Sequence, residues 1–168
     1  MKAILSKKII SLLIAPALLL AFTSKMDRTN LSGQWNLNES KSDLGPMQSF
    51  ATRAIKIDQK DDGITISQTS PSFNGEDRTL TETWSYDGKE TETTLFGSSK
   101  KKSTAKWSDD GKSLIISYVL NLDFGGQAME IKGTENLSIS DDGKTLTIQN
   151  NSTSSQGDLS TKALYDKQ

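Results

Sequence analysis

The sequence contains no histidine and no cysteine. Ser-His-Asp and Cys-His nucleophile systems, thiol redox chemistry, cysteine-held zinc and histidine-held metals all need one of those side chains, so they are excluded together. Disulfides are excluded too, and the fold must be held by packing and hydrogen bonding. A concentrated basic face is also missing. Lys and Arg number 20 against 21 Asp and Glu, and the one basic run is Lys100-Lys101-Lys102. Phosphate binding needs such a face, which argues against a nucleic-acid partner. The lysine run reads as a solvated loop and strand edge, where lysines guard against unwanted pairing.

Long hydrophobic runs are absent except at the start. Lys2, Lys7 and Lys8 precede an apolar stretch over residues 9–22, interrupted by Pro16. Its length of about 14 residues falls short of the roughly 20 that a membrane-spanning helix needs. A basic start followed by a short apolar run describes a secretory signal peptide. The expected division is therefore a signal peptide over 1–24 and one domain over 25–168, exported to the bacterial periplasm or beyond. Membrane contact is expected only through that first segment, if it stays uncleaved. Removing residues 1–24 leaves 17 of the 20 basic side chains and all 21 acidic ones, a net of about −4. A mature chain of this size supports one core, not two.

What is present is a strand pattern. Short alternating segments of Thr, Ile, Leu and aromatics are separated by turn residues, and no segment keeps a helical period over three turns. Four Asp-Gly pairs punctuate them: Asp62-Gly63, Asp87-Gly88, Asp110-Gly111 and Asp142-Gly143. Asp-Gly suits a two-residue type I′ turn. That geometry fixes cross-strand partners. Trp107 then faces Leu114, Ala105 faces Ile116 and Ser103 faces Tyr118. Ile139 faces Leu146, Leu137 faces Ile148 and Glu135 faces Asn150. Gln59 faces Ile66, Ile57 faces Gln68 and Ile55 faces Ser70; Trp84 faces Thr91, Glu82 faces Thr93 and Leu80 faces Leu95. Apolar residues share one face in all four hairpins, with Ile64, Ile115 and Val119 left on the outer side. Consecutive hairpins of this number, eight to ten strands, usually close to remove their edges. The expected fold is all-β, a single antiparallel up-and-down barrel, with an open curled sheet or a β-sandwich as the alternatives.

The first strand reads Leu31-Ser32-Gly33-Gln34-Trp35-Asn36-Leu37. Gly-x-Trp at that place resembles the lipocalin and calycin mark, in which the tryptophan plugs the closed end of the barrel. The resemblance implies a basic residue from the last strand over that ring, and Lys162 is the candidate. Gly33, Trp35 and Lys162 are thus the expected barrel-closing residues. The longer opening, with the repeated Asp-Gly-Lys hairpins, also resembles exported bacterial proteins and brings no activity with it. The chain departs from lipocalins in having neither disulfides nor a helix after the barrel.

The inferred interior is apolar with a few polar groups, the usual make-up of a small-ligand site. Candidate ligand-contacting residues are Arg53, Gln68, Glu82, Trp84, Tyr118 and Glu135. Buried carboxylates need partners, so Glu82 and Glu135 are expected to be paired or at a wet rim. Trp35, Trp84 and Trp107 weigh toward core packing. No catalytic residue, metal or cofactor is expected. The Asp-Asp-Gly-Lys loops lack the alternating oxygen ligands of a calcium loop. Residues 39–50 form the longest early connection and would overhang the open mouth as a lid; Gly125-Gly126 is a second connection that borders one end. The leading functional expectation is an exported protein that holds a small apolar or amphipathic molecule in its barrel. The rival is an envelope interaction module with a filled barrel, contacting a protein or glycan.

Overall fold

The computed structural model describes residues 27–72, 75–123 and 126–168. The expected signal segment lies outside them, as do Phe124 and Gly125. Ten antiparallel strands form one sheet: β1 (Gly33–Leu37), β2 (Ala54–Gln59), β3 (Gly63–Pro71), β4 (Asp77–Ser85), β5 (Thr91–Thr94), β6 (Lys100–Trp107), β7 (Ser113–Asp123), β8 (Ala128–Ile139), β9 (Thr145–Ser154) and β10 (Gly157–Lys167). Their spatial order is β4-β3-β2-β1-β10-β9-β8-β7-β6-β5. The sheet curls into an up-and-down barrel that is stitched shut between first and last strands and left without a ladder between β4 and β5.

Antiparallel order puts all four Asp-Gly connections at one end, beside Gly33 and Lys167. The connections at 72–76, 95–99 and 154–157, with the long one after β1, lie at the other end. That long connection is two 3-10 turns, Glu39–Lys41 and Gly45–Phe50, not an irregular loop.

Two hairpins have the expected register: Trp107 pairs with Leu114 and Ser103 with Tyr118, and Leu137 pairs with Ile148 and Glu135 with Asn150. Their turns are not type I′, because no described non-glycine residue has positive φ. Instead Gly111 and Gly143 alone take it, at 68° and 71°. Each Asp before them anchors the turn: Asp110 Oδ1 accepts from the Ser108 hydroxyl at 2.6 Å and from the Lys112 N–H at 3.0 Å. Asp142 repeats this with Ser140 and Lys144, and Asp87 with Ser85 and Lys89. These bonds, first of all the one from serine, stabilise the carboxylates and hold Asp110 and Asp142 below the usual range and Asp87 down to about 2.

The β2–β3 hairpin is shifted by two residues from expectation. Gln59 pairs with Ile64, Ile57 with Ile66 and Ile55 with Gln68, so the turn is Asp61-Asp62. Gly63 serves another end: a Cβ there would meet the Trp84 carbonyl oxygen at 2.6 Å. A shift of two keeps the faces, and Ile64 lies inside, 2% exposed, rather than outside. On the outer face of β3 and β4, Thr65–Thr83, Ser67–Thr81 and Thr69–Thr79 pair through their hydroxyls at 2.8–3.0 Å.

The core fills the Asp-Gly half of the barrel, with Leu31, Trp35, Ile57, Ile64, Trp84, Trp107, Leu114, Leu137 and Leu146 among its buried members. The segment before β1 plugs this end. Gln59 accepts from the Leu31 N–H at 2.8 Å and donates to the Thr29 carbonyl at 3.1 Å, while Arg28 stacks on Tyr86 at 4.4 Å. Trp35 is fully buried, and its indole N–H donates to the Leu31 carbonyl at 3.2 Å. The cation over its ring is Lys167, at 5.2 Å. Lys162 is exposed nearer the other end of β10, where its backbone bridges to Asp43. Register places Lys167, not Lys162, opposite Trp35.

Candidate functional site

Above the packed base the side chains thin out. A cavity of about 350 Å³ occupies the upper interior, walled by Leu120, Ile131, Ile148, Leu159, Ala163 and Tyr165, with Tyr118, Glu135, Asn150 and Ser152 as polar lining. A second space of about 650 Å³ at the mouth is lined by Pro46, Met47, Phe50, Pro71, Arg78, Leu80 and Phe96. The two share Met47, Phe50 and Gln68. The second 3-10 turn therefore sits over the mouth, and its Met47 and Phe50 remain 47% and 43% exposed.

A polar belt lies between base and cavity, where β4 and β6 face each other across the missing ladder. Glu82 and Lys101 form an ion pair at 2.8 Å, with side chains 3% and 8% exposed. Trp84 donates its indole N–H to Ser103 at 2.9 Å across the same gap. The Lys101 ammonium also stands 5.7 Å from the Trp84 ring and 5.4 Å from that of Tyr118. Nearer the mouth the gap is bridged by Arg78, which donates to the Leu95 carbonyl. Side chains thus do the joining that backbone groups do elsewhere in the barrel. The expected pairing of Trp84 with Thr91, Glu82 with Thr93 and Leu80 with Leu95 does not form. Lys101 is likewise not on a solvated edge; only its neighbours are, with Lys100 on Glu92 and Lys102 on Glu90.

Of the six expected ligand contacts, the structure brings Gln68, Tyr118 and Glu135 to the cavity. Glu82 and Trp84 belong to the belt beneath it and line neither space. Arg53 is exposed and paired with Asp77 at 3.2 Å; Thr52 takes the inward place, its hydroxyl 3.0 Å from that of Ser70. Sequence reasoning missed Lys101, Asn150 as a cavity residue, and the mouth residues Met47 and Phe96. Tyr118 is positioned by its bond to Asn150 Oδ1 at 2.7 Å and by Gly133 opposite. A Cβ on Gly133 would meet the tyrosine oxygen at 2.5 Å and the Asn151 carbonyl at 2.8 Å.

Burial alone would lower the Lys101 pKa, but the charges of Glu135 and Glu82 and the bond to Glu82 outweigh it and raise it. Desolvation raises all three tyrosines, Tyr86, Tyr118 and Tyr165, the last two further through the charge of Glu135. A folded pKa above the unfolded one means that the protonated form favours the fold. That stability is whole below the unfolded values of about 10 and is lost as pH rises through the folded ones. The melting temperature is therefore expected to hold between pH 7 and about 9 and to fall steeply above about pH 10. Tyrosinate absorbance should rise with unfolding, since the chain has 3 tyrosines and none is ordinary. A tyrosine titrating near pH 10 in protein that stays folded would contradict this burial.

No family model and no curated protein matches the chain. Among solved structures it is similar to zebrafish ileal bile acid-binding protein complexed with cholic acid, with TM-score 0.55 and 19% identity over 82% of this chain and 98% of that one. A mutant of the fluorescent protein UnaG also matches, with TM-score 0.47 and 18% identity over 82% of this chain and 95% of that one. The likeness to the first shows the fold: this chain is an all-β, antiparallel up-and-down barrel.

Proposed function

We propose that this protein is exported and holds a small apolar or amphipathic molecule in the upper half of its barrel, entered past Met47 and Phe50. The observation that carries the reading is the pair of adjoining, mainly apolar spaces at the mouth and in the interior, about 650 and 350 Å³, which share Met47, Phe50 and Gln68 in their walls and are in the size range of small-molecule pockets. One barrel whose fold it shares is a bile acid-binding protein, which agrees with such a use. The space reaches Glu135 but neither Glu82 nor Arg53, so the ligand rests on the belt rather than within it. Export rests on the signal-like pattern of residues 1–24.

Native mass spectrometry of protein isolated from its own host without detergent should show an extra mass of a few hundred daltons, released on denaturation. In parallel, the neutral fluorophore N-phenyl-1-naphthylamine should bind one to one. Ile148→Trp, which fills the interior cavity, should weaken it at least about tenfold while the protein stays folded. A bare mass together with no fluorophore binding would sink the carrier reading. Binding unchanged by Ile148→Trp would place the fluorophore outside the cavity.

A further inference from the structure

We propose that the barrel selects amphipathic cations, an ammonium or guanidinium head on an apolar body, with Glu135 receiving the head at the cavity floor. The inference rests on the carrier reading and names its ligand class. Charge complementarity decides it. Three ionisable side chains with formal charge meet at the belt: Glu82 from β4, Lys101 from β6 and Glu135 from β8. Lys101 is committed to Glu82 at 2.8 Å, which leaves one carboxylate in surplus. Glu135 lines the cavity, and among the described residues its carboxylate forms no hydrogen bond and no ion pair. Its charge is nonetheless felt by Lys101, Tyr118 and Tyr165, and its side chain is half-buried.

Three donors near Glu135 already serve other acceptors. Tyr118 gives its proton to Asn150 Oδ1, Trp84 gives its own to Ser103, and Lys101 serves Glu82. The acceptors are in excess, because Glu82 Oε1 is also buried without a hydrogen-bond partner. A floor with surplus negative charge and spare acceptors favours a head that brings positive charge and donors, and repels a carboxylate. The apolar body then lies along Leu120, Ile131 and Ile148 toward Met47 and Phe50. Among the described residues the one cation on the cavity walls, Arg78, sits at the exposed mouth with its guanidinium on the Leu95 carbonyl, too near solvent to reverse that preference at the floor.

Three probes of equal chain length separate the possibilities: dodecylammonium, dodecanol and dodecanoate, each below its micelle concentration, competing with N-phenyl-1-naphthylamine on the full mature protein. Dodecylammonium should bind roughly ten- to a hundredfold tighter than dodecanol, the range of a charge-assisted hydrogen bond, and dodecanoate weakest. Glu135→Gln should erase the ammonium advantage and leave dodecanol unchanged. Equal affinities, or dodecanoate tightest and weakened by Arg78→Gln, would overturn the proposal and leave the carrier reading standing. Displacement by none of the three, from protein that does bind the fluorophore, overturns it as well. Should Glu135→Gln not fold, the order of the three probes on the unaltered protein still decides.

Discussion

Replacing Lys101 by methionine is expected to cost about 3–5 kcal/mol of stability, the range for removing one partner of a buried pair. The loss comes less from the missing attraction than from Glu82, left charged and 3% exposed with both carboxylate oxygens unpartnered. For a chain of this size that is a fall in Tm of roughly 10 °C. Replacing Glu82 by leucine as well should restore most of it, because a packed apolar pair can replace a buried ion pair at little or no cost. Urea denaturation of the two single variants and the double one measures both the cost and the coupling. Single variants that each lose less than about 1 kcal/mol would mean that water reaches the seam and the pair is not truly desolvated.

Truncating Trp35 to alanine should cost about 3–5 kcal/mol, the usual range for removing a buried tryptophan. The ring is fully buried and caps the plugged end, so no neighbour is free to collapse into the space without dragging the 27–32 segment. Lys167 lies at the surface, and a cation over a ring there contributes about 0.5–1 kcal/mol. Lys167→Met should therefore lose about that amount, and Lys162→Met nothing measurable. Equal losses for the two lysines would contradict the assignment of Lys167 to the ring.

These two sites also show what the sequence could and could not disclose. Trp35 was readable as the plug because Gly33-x-Trp35 opens a strand that alternates from Leu31 to Leu37. Its cation was not, because the β1–β10 register follows from the shear of the closing barrel and not from any turn. Turn-set registers were readable at Asp110-Gly111 and Asp142-Gly143, each inside a Ser-Asp-Asp-Gly-Lys run. They slipped at Asp62-Gly63, where glycine is demanded by the neighbouring backbone of Trp84 instead of by the turn. Lys101 follows by simple alternation from Ser103, Ala105 and Trp107, but a triple-lysine run reads as surface unless a partner is known. That partner, Glu82, is on a strand the Asp87-Gly88 connection was expected to pair with β5. Because those two strands instead diverge, the candidate site lost Glu82 and Trp84 to the seam. Arg53 left the site for a subtler reason: Thr52, just before β2, takes the inward place, and the sequence gives no sign of it.

The stitching of β1 to β10 has a consequence for how the chain comes to be folded. Every other ladder joins strands adjacent in sequence, so β1–β4 and β5–β10 can each assemble as a local meander. The two halves become one barrel only when partners such as Asn38 and Asp166, 128 positions apart, find each other. That late, non-local step carries the loop-closure entropy and should set the folding rate. On a ribosome, the unpaired edge of β1 must wait until the last strand emerges. During that wait, it is the first half, with β1 and β4 both exposed as edges, that needs protection from pairing with other chains.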